Sequence, residues 1–173
     1  MDTPICDFVE KYIQAGTARL HMPGHKGAQQ GNCGCEPFDI TEIAGADSLY
    51  EAAGIIARSE ANAGKIFGSG ATYYSTEGSS QVIKAMLYLV SAGVENPVIL
   101  AARNVHKAFV QGCALCDIAV EWLYPDSADS ICSCPVSAEK LRRKLVAMAK
   151  RPVAVYITSP DYLGNMADVA ALA

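Results

Sequence analysis

The chain has 173 residues, 51% of them hydrophobic and 18% charged, and a formal net charge of -4. That apolar share suffices for one real core and argues against extensive disorder. No apolar run reaches the ~18 residues of a membrane span. Met1-Asp2-Thr3-Pro4 lacks the basic and apolar segments of a signal peptide, so a cytoplasmic protein with no membrane partner is expected.

Residues 4–15 place Ile5, Phe8, Val9, Tyr12 and Ile13 at helical spacing, and Gly16 stops that helix. Residues 21–37 form a loop rich in proline and glycine, followed by a short extended piece from Phe38 to Ile43. A second helix is expected over 54–66, with Ile55, Ile56, Ala63 and Ile66 turned inward and Gly68 after its end.

A regular alternation follows. Strands are expected at 71–75, 97–101, 118–123 and 153–158, and helices at 79–91, 106–116 and 137–149. Short apolar strands separated by such helices give βαβ units. The expected fold is therefore α/β: a three-layer, mostly parallel sheet with helices on both faces. The expected organisation is an N-terminal helix and loop over 1–45 and an incomplete α/β domain over 46–173. Asp168 to Ala173 looks like a helix that has only begun, which is odd for a natural domain boundary.

Two residue classes carry little. Lys140, Arg142, Arg143, Lys144, Lys150 and Arg151 belong with one helix and form a solvated face, so no nucleic-acid partner is expected. The seven cysteines include C-x-C pairs at Cys33/Cys35 and Cys132/Cys134 and a C-x-x-C at Cys113/Cys116. Their spacing is poor for zinc, and reduced thiols with no metal are expected.

Four polar clusters could carry chemistry. In Ser75-Thr76-Glu77-Gly78-Ser79-Ser80, Gly78 permits a sharp turn, and Ser79 and Ser80 fall at the N-cap or in the first turn of a helix, where free N–H groups suit a phosphate. Serine is equally an ordinary cap. Arg103-Asn104-Val105-His106-Lys107 follows the second expected strand, on the strand-end rim where open α/β sheets bind ligands; a cap or surface role suits His106 as well. His21-Met22-Pro23-Gly24-His25-Lys26-Gly27 is by itself a turn. Thr158-Ser159-Pro160-Asp161-Tyr162-Leu163-Gly164 adds hydroxyls at the fourth strand end.

Together, "HMPGHKG", "FDITEIAGADSL", "STEGSS", "ARNVHKAF" and "ITSPDYLG" resemble, in order, the major domain of the Orn/Lys/Arg decarboxylases, pyridoxal-phosphate enzymes of the aminotransferase fold. The resemblance implies that Gly78, Ser79 and Ser80 hold the cofactor phosphate. It implies that His106 stacks on the pyridine ring as the catalytic histidine, and that Ser159 lies toward the cofactor's hydroxyl. His25 would lie at the substrate entrance, near a dimer interface. The implied reaction is decarboxylation of lysine, ornithine or arginine to the amine, with the pyridinium ring as electron sink.

Three departures qualify the resemblance. Glu77 stands where the family commonly has asparagine, and Asp161 where it commonly has threonine. The family's pyridine-binding aspartate and Schiff-base lysine follow later strands than the four expected here, and neither Lys26 nor Lys107 takes that lysine's place. The chain alone is therefore expected to be inactive. In the family's strand order, 3-2-4-5-6-7-1, the first strand would also lose its neighbour. It is expected to pair with the fourth or second strand, or between chains, and exposed apolar faces should then drive a homo-oligomer. The alternative function is a Rossmann-like module that binds a phosphate ligand without catalysis.

Overall fold

The computed structural model describes residues 2–29, 31, 34–126 and 130–173, which cluster into two units, Met1–Tyr74 and Ser75–Ala173. The first unit is built on two helices, α1 (Pro4–Gln14) and α2 (Ile55–Phe67). Pro4 opens α1, where its missing N–H costs nothing. The Thr3 hydroxyl donates to Asp7 Oδ1 at 2.7 Å. The two helices are tied by Arg58 to Asp2 at 2.9 Å and by Asn62 Nδ2 to the Asp2 carbonyl at 3.0 Å.

The loop into α2 is organised by Asp47. Its carboxylate accepts from the N–H groups of Ser48, Ala53, Gly54 and Ile56 at 2.8–3.1 Å. The Ala53 bond leads in holding the carboxyl down at about 2; partial desolvation opposes this, and the other three bonds support it.

Three expectations in this unit change. Ile66, expected to turn inward, is exposed, and the buried positions of α2 are Glu60 and Gly64. The extended piece at Phe38–Ile43 is instead a 3-10 turn, Glu36–Phe38, followed by irregular chain. The strand expected at 71–75 does not form. Alanine, threonine and two tyrosines suit a strand locally, but a strand needs a partner ladder. Here the Tyr74 N–H donates to the Glu60 carboxylate at 2.8 Å, a side-chain partner in place of a backbone one. Pairing with the fourth or second expected strand does not occur.

The second unit is a three-layer α/β arrangement. In chain order it contains α3 (Gly78–Ser91), β1 (Val98–Ala102), α4 (Lys107–Leu115), β2 (Ala119–Leu123), α5 (Ala138–Ala147), β3 (Ala154–Tyr156) and α6 (Val169–Leu172). The sheet is wholly parallel with order β2-β1-β3; Val98 pairs with Ala119, and Ile99 with both Val120 and Ala154. The last strand is shorter than the expected 153–158. The central strand is buried on both faces, which explains its unbroken apolar run. Ile99 and Ala101 join Leu87 of α3 and Phe109 and Cys113 of α4. Leu100 turns the other way, onto Leu123 and Leu141 of α5.

The α3–α4 contact is close because residue 112 is glycine. A Cβ there would lie 2.5 Å from Leu87 Cδ1. Between them the two helices cover one face, and their spacing sets where their N-termini emerge.

Candidate functional site

The start of α3 is unlike the other helix starts in this unit. The N-cap side chain accepts a backbone N–H at α4, α5 and α6: His106 from Ala108, Ser137 from Lys140 and Asp168 from Ala171. At α3 the N-cap residue is Glu77, and no side chain caps the helix. Gly78, the first helical residue, has φ +70°, in the left-handed region that favours glycine. Ser79 and Ser80 follow within the first turn, the former exposed and the latter half-buried. The arrangement offers hydroxyls, uncapped backbone donors and the positive end of the helix dipole. The Glu77 carboxylate works against an anion at the same point.

The turn is braced from outside. The Ser75 hydroxyl donates to Gln81 Oε1, and Ser75 Oγ accepts the Glu77 N–H at 3.3 Å.

His106 lies between β1 and α4 and is half-buried. Its Nδ1 accepts the Ala108 N–H at 3.1 Å, so in the neutral ring the proton sits on Nε2. Here the cap role and a ligand-facing role are compatible, since capping uses one nitrogen and leaves the ring face and Nε2–H. Ser159 follows β3. Its Oγ accepts the Ala167 N–H at 3.0 Å, which leaves the hydroxyl proton for another acceptor. His106 and Ser159 thus stand after the carboxyl ends of adjacent parallel strands. The bond from Thr158 Oγ1 to the Asn104 carbonyl, 3.3 Å, joins the two strand ends. Asn104 is buried, and its Oδ1 has no partner among the described residues.

His25 belongs to the first unit. Its Nδ1 accepts the Gly27 N–H at 3.0 Å and its Nε2–H donates to Asp39 Oδ2 at 3.1 Å. Nearby, His21 has the opposite tautomer: Nδ1–H donates to the Met22 carbonyl, and Nε2 accepts from the Tyr12 hydroxyl at 2.8 Å. Arg19 holds the Pro37 carbonyl at 2.7 Å and lies over the Tyr12 ring. Sequence reasoning did not single out Asp39, Tyr12 or Arg19 as partners of these histidines; Tyr12 carried only helix spacing.

Among the described residues no three of histidine, cysteine, aspartate and glutamate group as metal ligands. Cys33 lies outside the described residues. Cys113 is buried, and burial, assisted by neighbouring Cys116, pushes its thiol up to about 11. Among the described residues, no helix is long and apolar enough to cross a membrane.

Residues 3–173 match the family described as Orn/Lys/Arg decarboxylase, major domain. The chain belongs to this family. It is 24% identical to an arginine decarboxylase of Bacillus subtilis over 186 residues, covering 99% of this chain and 36% of that protein. An arginine decarboxylase of Halalkalibacterium halodurans is 26% identical over 136 residues, 72% of this chain and 26% of the relative. The structure of the constitutive lysine decarboxylase of E. coli superposes with a TM-score of 0.70 at 21% identity, over 93% of this chain and 25% of that one. The α/β fold is thereby that of the family. The chain spans about a third of the length of the first curated relatives it matches.

Proposed function

We propose that this chain forms the N-terminal part of a pyridoxal-phosphate-dependent decarboxylase of basic amino acids: lysine, ornithine or arginine. The observation that carries the reading is the uncapped start of α3, with Gly78 in the left-handed region and Ser79 and Ser80 behind it. Family membership supports the phosphate of pyridoxal phosphate as the anion for such a turn.

The residues fit the cofactor in three ways. Backbone donors and hydroxyls at 78–80 suit its phosphate. The His106 ring, locked by its bond from Ala108, offers a flat face to the pyridine. Ser159 keeps a proton to donate toward the cofactor's hydroxyl. When bound, the cofactor supplies an electron sink for the pair left by loss of CO2. His25 takes the substrate entrance on the family resemblance, its ring held by Gly27 and Asp39.

These 173 residues bind the cofactor weakly and do not turn over. Lys107 opens α4 at the surface and Lys26 sits in the first unit's loop; neither takes the place of the family's cofactor-bound lysine. Self-association accompanies binding. Val82, Met86 and Leu89 form an exposed apolar stripe on α3, at i, i+4, i+7 spacing, opposite its buried face. A second copy is the proposed cover, and static light scattering of the chain reads it.

The test is titration with pyridoxal phosphate, followed by absorbance and by 31P NMR, beside an assay for amine from each of the three amino acids. Saturable binding that His106→Ala weakens, without amine, is expected. Amine production by the chain refutes the inactivity. Phosphate binding indifferent to His106 favours the alternative, a phosphate-ligand module without catalysis.

A further inference from the structure

The start of α3 poses a mechanical question. An ordinary cap stabilises a helix start by placing an acceptor on its first N–H groups, which takes those donors away from any ligand. At α3 no side chain does so, yet the turn from residue 75 to 81 must hold its shape around Gly78, whose surroundings are open: a Cβ there would meet nothing within 4 Å. At Gly78 itself no packing fixes the turn, and the hydrogen bonds of Ser75 are what link its two ends.

We infer that Ser75 and Gln81 are positioning residues for the phosphate turn: they brace it from both ends while leaving its donors free. Ser75 precedes the turn and Gln81 lies within the first helical turn. One hydroxyl links them, donating to Gln81 Oε1 and accepting the Glu77 N–H at 3.3 Å. The brace spans Thr76 to Ser80 without using the N–H or hydroxyl of Ser79 or Ser80. It also immobilises the Glu77 backbone through its N–H, at the residue whose carboxylate opposes an anion. Preorganised donors bind more tightly than mobile ones because ordering is not charged to the ligand.

This inference rests on the proposed phosphate site, and its experiment separates the two. Inorganic phosphate, pyridoxal phosphate and pyridoxal are titrated against the wild-type chain, Ser75→Ala, Ser75→Thr, Gln81→Leu and Gln81→Glu, with thermal unfolding of each unliganded chain recorded alongside. Ser75→Ala and Gln81→Leu should each weaken both phosphate ligands by about fivefold, the size of one neutral hydrogen bond. Pyridoxal should be unaffected, since it has no phosphate. Ser75→Thr keeps the hydroxyl and should bind within about twofold of wild type. Gln81→Glu keeps an acceptor for Ser75 but adds a negative charge, so it should lose affinity that 1 M salt restores.

Wild-type binding of phosphate that Ser75→Ala and Gln81→Leu leave unchanged overturns the inference alone. Equal weakening of pyridoxal and pyridoxal phosphate also overturns it, because the effect would then be general. A wild-type chain with no saturable phosphate binding overturns both the site and the brace. If Ser75→Ala unfolds, Gln81→Leu and Gln81→Glu carry the same comparison.

Discussion

Thr158 Oγ1 donates to the backbone carbonyl of Asn104 across 3.3 Å, joining the chain that leaves β3 to the chain that leaves β1. Each partner lies one or two residues from a candidate site residue, Ser159 and His106. Thr158→Val keeps the shape and removes the hydroxyl. It should lower affinity for pyridoxal phosphate and for pyridoxal alike by two- to fivefold, about one hydrogen bond, and leave inorganic phosphate unchanged. Equal loss for all three ligands, read by titration, would place the effect elsewhere.

Glu77 is the residue most at odds with an anion on α3. It holds the N-cap position without capping. Glu77→Asn removes the charge and supplies a favourable cap. At low salt phosphate should bind up to about fivefold more tightly, the scale of one unit charge a few ångströms away in water. The difference should shrink by 1 M salt. An Asn variant that binds more weakly at every salt would mean that its amide occupies the donors.

His106 serves α4 as a cap, and the two roles can be separated. His106→Ala loses cap and ring and should cost about 1 kcal/mol of stability. His106→Asn retains a capping side chain and should unfold at nearly the wild-type urea midpoint. Both should lose stacking on a pyridine ring, about 1 kcal/mol or roughly fivefold in affinity. Wild-type affinity in His106→Asn would show that the ring contributes nothing.

Asp47 makes the first unit sensitive to acid. Its carboxyl is held at about 2 by the four backbone N–H groups, that of Ala53 first, below the ~3.9 of an unfolded chain. The contribution is fully present above about pH 4 and is lost as pH falls through 2. Asp47→Asn should lower stability at neutral pH, and its difference from wild type should vanish towards pH 2. Urea midpoints between pH 2 and 7 give the comparison; a difference that grows in acid would reverse the assignment.

The parts of the fold legible in sequence were those governed by local pattern. The runs Val98–Ala102 and Ala119–Leu123, the intervening helices and the strand-end position of His106 all follow from periodicity and capping. Ala71 to Ser75 was not legible, because strand propensity describes one segment and a ladder requires two. Glu60 lies 14 residues before Tyr74, and nothing in the pattern of α2 indicates that it meets that N–H. At the site, Gly78, Ser79 and Ser80 were legible as a first turn. The Ser75–Gln81 link was not, since it depends on two rotamers and a glycine's φ.

The burial of β1 from Ile99 to Ala102 has a consequence on the time axis. Leu100, Ala101 and Ala102 have no exposed surface; Leu100 and Ala101 are flanked by paired strands on both sides, and Ala102 pairs with Leu123 of β2. Such amides exchange with solvent deuterium only through the largest openings, so this strand should label last. The rim that carries Asn104 and His106 is therefore anchored to the slowest-breathing piece of its unit, whereas the start of α3 depends for its shape on the local link between Ser75 and Gln81.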